Sequence, residues 1–127
     1  AGVEYYQATH RHAWWGEFVH FYLGVKRRCE LSESCSLQSL SPEVARATPE
    51  ARVAFEDGLR EVATLIATGP KSPKQPRDLE AACAALAALV GAVTLARAVQ
   101  SVTMADAITA AAGTALLGNR WAAIDRV

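Results

Sequence analysis

The side chains best equipped for chemistry are three histidines, His10, His12 and His20, with Glu17 among them, and three cysteines, Cys29, Cys35 and Cys83. On a helix His12 and His20 stand about 12 Å apart along the axis, too far to share one metal ion. His10 and His12 point to different sides. Glu17 and His20, at i and i+3, offer two ligands, but no HExxH or other metal box surrounds them. The cysteines form neither a CxxC pair nor a zinc box, and no serine sits in a GxSxG elbow. Gly113-Thr114 and Gly118-Asn119 lie in or after a helical pattern and make no phosphate loop. The expectation is therefore no metal, no cofactor and no catalytic centre, with an enzyme using Glu17, His20 or Cys35 ranked last.

The large rings offer different chemistry. Tyr5, Tyr6, Trp14, Trp15, Phe18, Phe21 and Tyr22 are gathered in one stretch of chain. Several must be core. The others suit the wall of an apolar cavity between this stretch and the long helix that follows, with His20, Tyr22, Cys35 and Gln38 as its polar groups.

These residues need elements to hold them, and composition bounds what those elements are. The chain has 127 residues, 13 basic and 13 acidic side chains, and 51% hydrophobic residues. That suits one domain spanning residues 1–127 with a sizeable core. It excludes disorder, and the zero net charge argues against nucleic-acid binding by these residues alone. An odd set of cysteines points to free thiols in a reducing compartment, although spacing leaves a Cys29–Cys35 bridge open. Residues 1–20 carry Glu4, His10, Arg11, His12 and Glu17 where a leader would need an apolar run. The uncharged run from Ala81 to Ala96 is mostly alanine and shorter than a span of about 20 residues, so it reads as a buried helix. A cytoplasmic protein without membrane contact is expected. With no initiator Met, either it was removed ahead of Ala1 or the chain is a piece of something longer.

Periodicity then predicts the helices. Trp14, Phe18, Phe21 and Val25 line one side of a continuous helix from Val3 to Val25, widened by Trp15, Val19 and Tyr22 and ended by Lys26, Arg27 and Arg28. Residues 29–41 read as a serine-rich loop. Ser41-Pro42-Glu43 and Thr48-Pro49-Glu50 each supply a hydroxyl cap, a proline and an acid. They open a short helix, Pro42 to Ala47, and a long one, Pro49 to about Thr68, with Phe55, Leu59, Val62, Leu65 and Ile66 inward. Gly69 and Pro70 stop it. Residues 69–77, with Pro70, Pro73 and Pro76 among Lys71, Lys74 and Arg77, read as a solvated, semi-rigid linker. Asp78 caps a helix from Leu79 to about Gln100. It has one face of Leu79, Cys83, Leu86, Val90 and Val93 and an opposite, alanine-rich face that admits a close neighbour. Thr103, with Asp106 as a capping-box partner, opens a last helix with a Met104, Ile108, Ala111 and Ala115 stripe ending near Gly118. No alternating pattern occurs, so the fold is all-α.

Two stretches resemble a known family. SCSLQSLSPEVARATPEARVAFEDGL (34–59) and ALAALVGAVTLARAVQSVTMADAITAAA (85–112) are similar to the C-terminal regulatory domain of TetR-family transcriptional repressors. The family has a Gly-Cys-Pro-Leu-like turn before two Pro-Glu helices. Ser34 and Ser36 depart from that turn. The resemblance implies an antiparallel helical bundle that binds a small hydrophobic effector and forms a homodimer through its last two long helices. Operator DNA would be contacted only through a helix-turn-helix upstream of residue 1. Facing and chemistry make Trp14, Phe18, Phe21, Tyr22, Cys35, Phe55, Leu59, Val62, Cys83 and Leu86 the ligand-binding candidates. Ala88, Ala92, Leu95, Ala96, Val99, Ile108, Ala111 and Ala115 are the dimer-interface candidates. The alternative is a helical dimerisation module without a ligand.

Overall fold

A computed structural model describes residues 2–26 and 45–121, and every regular element among them is helical. The first, α1 (Gly2–His10), ends in a single 3-10 turn at Arg11–Ala13, and α2 (Trp14–Phe21) follows, prolonged by a π turn at Tyr22–Lys26. Where one helix was expected from Val3 to Val25 there are two. Arg11 breaks the run with a φ of 50°, in the left-handed region that costs an L-residue about 1–2 kcal/mol. The turn folds α1 back so that the Tyr6 ring lies 5.8 Å from Phe18 and 5.4 Å from Phe21. In a straight helix Tyr6 and Phe18 would be about 18 Å apart. Packing of Val3 and Tyr6 on α2 offsets the strained residue.

The next helix, α3 (Pro49–Thr68), starts as predicted: Thr48 Oγ1 accepts from the Ala51 amide at 3.2 Å, with Pro49 in the first turn. The expected Pro42–Ala47 helix lies mostly outside the described residues, and Ala45 and Arg46 form a turn. Asp78 caps α4 (Leu79–Ala98), its Oδ1 accepting from Ala81 N at 2.8 Å. The last helix, α5 (Val102–Leu117), begins two residues early. Its cap is Ser101, whose Oγ accepts from Met104 N at 3.0 Å, rather than Thr103. It stops at Gly118, whose φ of 61° suits glycine.

The core forms around α2. Trp14, Trp15, Val19 and Leu23 are 0 to 1% exposed and join Ala63 and Ile66 of α3, Leu86, Leu89 and Val93 of α4 and Leu117 of α5. On α4 the buried stripe runs Ala82, Ala85, Leu86, Leu89, Ala92, Val93, Ala96. That is roughly a quarter turn from the predicted inner face, at 3.6 residues per turn. Leu79 and Cys83 are consequently exposed. By length and composition α4 is also apolar enough to cross a membrane, a test that the core helix of a globular domain passes as well.

Residues 69–77 are not a solvated linker. Ser72, Gln75 and Pro76 are buried, and the segment is a strap tied to both neighbouring layers. The last carbonyls of a helix have no partner within it. Here the Gln75 amide donates to Ile66 O at 2.9 Å and Gly69 O at 3.3 Å, while its Oε1 accepts from Ser72 N at 2.9 Å. Gln7 of α1 donates to Leu65 O at 2.8 Å, and Gly69 leaves the room that the Gln7 side chain occupies. Ser72 Oγ accepts from Trp15 N at 3.1 Å, supplying the start of α2 with the cap that Ala13 cannot. Trp14 Nε1 donates to Pro70 O at 2.7 Å.

Gln75→Leu keeps the volume but strips partners from two carbonyls and one buried amide, so urea unfolding should show a loss of about 3 kcal/mol. Arg60→Ala, which removes an exposed i, i+4 pair with Glu56, should cost no more than about 0.5 kcal/mol. Equal effects would remove the strap from its structural role.

Candidate functional site

The aromatic stretch becomes a packed cluster. Trp14 meets Trp15 edge-on at 5.6 Å, Trp15 stacks on Phe18 at 6.0 Å and Phe18 reaches Tyr22 at 5.9 Å. Trp14, Phe18, Tyr22 and Leu86 are buried together, with Leu59 and Val62 of α3 against them. Phe21 and Phe55 are half-buried. Cys83 does not join these candidates. It is a free, exposed thiol, because the rotation of α4 carries it to the outer side. Cys35, Gln38 and Cys29 lie outside the described residues.

Among the interface candidates, Leu95, Ala111 and Ala115 are exposed. Ala92 and Ala96 are not available to a partner: they are 6 and 7% exposed, covered by their own chain. Ala88, Val99 and Ile108 are half-buried, Ile108 against the core. The Met104, Ala111 and Ala115 stripe of α5 faces outward, and Thr109, Gly113 and Leu117 face the core instead.

Trp121, in a tail whose sequence is too short and mixed to predict, closes one end of this core. Its ring stacks on His20 with centroids 4.1 Å apart and planes 15° from parallel. It also lies flat against Gly113, where a Cβ would enter the indole. The only sequence signal was a glycine inside an alanine-rich helix, which marks a close approach without naming the partner.

Three clefts are bounded by described residues and are lined by neither Trp14 nor Phe55. One of about 530 Å³ lies between Gln7, Arg11, His12 and Lys71. A second, on α3, is lined by Asp57, Arg60, Glu61, Thr64 and Leu65. A third, of about 460 Å³, opens where the strap meets the start of α4 and the end of α5. Trp15, Lys74, Pro76, Arg77, Ala85 and Leu116 line it. Lys74 holds a φ of 67°, a conformation that costs about 1–3 kcal/mol and gathers at functional sites. Among the described residues no group of three or more His, Cys, Asp or Glu side chains could hold a metal ion.

Burial foremost, then the neighbouring Tyr5 and Glu17, pushes the Tyr6 phenol above its ordinary 10.0. A value raised on folding means that this contribution to stability is complete below about pH 10 and is lost as pH rises through the folded value. Tyr6→Phe should therefore flatten the alkaline fall in melting temperature between about pH 9 and 11. An unchanged slope would assign the fall to other groups. Gly113→Ala should destabilise by about 1–3 kcal/mol in denaturant unfolding, and Trp121→Ala should remove most of that penalty. Full additivity of the two would contradict the contact.

No family model matches the chain, and no curated protein or solved structure is found to be similar to it.

Proposed function

We propose that the chain is the effector-binding and dimerisation domain of a TetR-like transcriptional regulator of the cytoplasm. It would be an antiparallel bundle whose effector releases the intact protein from DNA read by an upstream helix-turn-helix. The observation that carries this is the outer side of α4 and α5. Cys83, Ala84, Ala87 and Leu95 of α4 and Met104, Ala107, Ala111 and Ala115 of α5 are all exposed, with Leu95 at 57% and Met104 at 51%. From Ala81 to Ala96 there is no charge, and α5 carries only Asp106. A two-fold contact sets the same patch against itself, so a face nearly free of charge suits a second copy of this chain without like-charge repulsion. Small side chains let two helix pairs approach closely.

A dimerisation module without a ligand gains support from the aromatic rings of Trp14, Trp15, Phe18 and Tyr22, which pack on one another. Thermal-shift screening against apolar compounds separates the two, since a ligand that binds only the folded state raises the melting temperature.

In light scattering at micromolar concentration the chain should be a dimer, and Leu95→Glu and Ala111→Glu should each give a folded monomer. Both positions are exposed in the single chain, so folding should survive the change. A monomeric wild type would overturn the dimer.

A further inference from the structure

We draw no further inference here: the strongest candidate, the cleft between Gln7 of α1, the turn at Arg11 and His12, and Lys71 of the strap, offers a ligand no charged group but the exposed side chains of Arg11, His12 and Lys71, and nothing in the structure shows what covers it.

Discussion

The C-terminal end of α3 presents carbonyl groups that no residue of the helix can satisfy, and the packing of the other elements follows from how they are paired. Gln7 reaches Leu65 O from one side and Gln75 reaches Ile66 O and Gly69 O from the other. The first contact fixes α1 against α3. The second pulls the strap inward, where Ser72 and Pro70 receive hydrogen bonds from the first two residues of α2. Two glutamine side chains and one serine thus set the relative position of three helices. Apolar burial supplies most of the driving force, as in any domain of this size, but it is not directional. The hydrogen bonds specify which arrangement the burial takes.

Local signals mostly survived folding, the cap of α5 at Ser101 rather than Thr103 being an exception, and several nonlocal ones did not. The starts of α3 and α4 were legible because a cap acts within three residues, and Thr48 and Asp78 do what their positions predict. The break at Arg11 was not legible, since its cause is the packing of Tyr6 on Phe18 and Phe21. Proline content made the strap look solvated. Its burial depends on Ser72 and Gln75, whose partners lie in other elements. On α4 the sequence is apolar around the whole circumference, so no face stands out and the inward stripe is settled by neighbours. That is why Cys83 proved to be outside and Ala92 inside.

The candidate site divides along the same line. Trp14, Phe18 and Tyr22 were recognisable as one helix face from spacing, Leu86 was set beside them only by the family resemblance, and all four are buried in one core. Residue type says that such side chains pack, and leaves open whether a void remains among them. The cleft at Trp15 draws Lys74, Arg77, Ala85 and Leu116 from separate parts of the chain, and no periodic pattern unites them.

The long-range cap on α2 bears on how the chain reaches its fold. Ser72 lies 57 residues after Trp15, so the first turn of α2 has no local device to hold it. Closing a loop of that length spends entropy before any contact repays it. The helix most deeply buried in the finished molecule is thus poorly placed to act as an autonomous nucleus. The first turn of α2 therefore depends for its cap on the strap being in place, whereas α3 and α4 are capped by residues beside them.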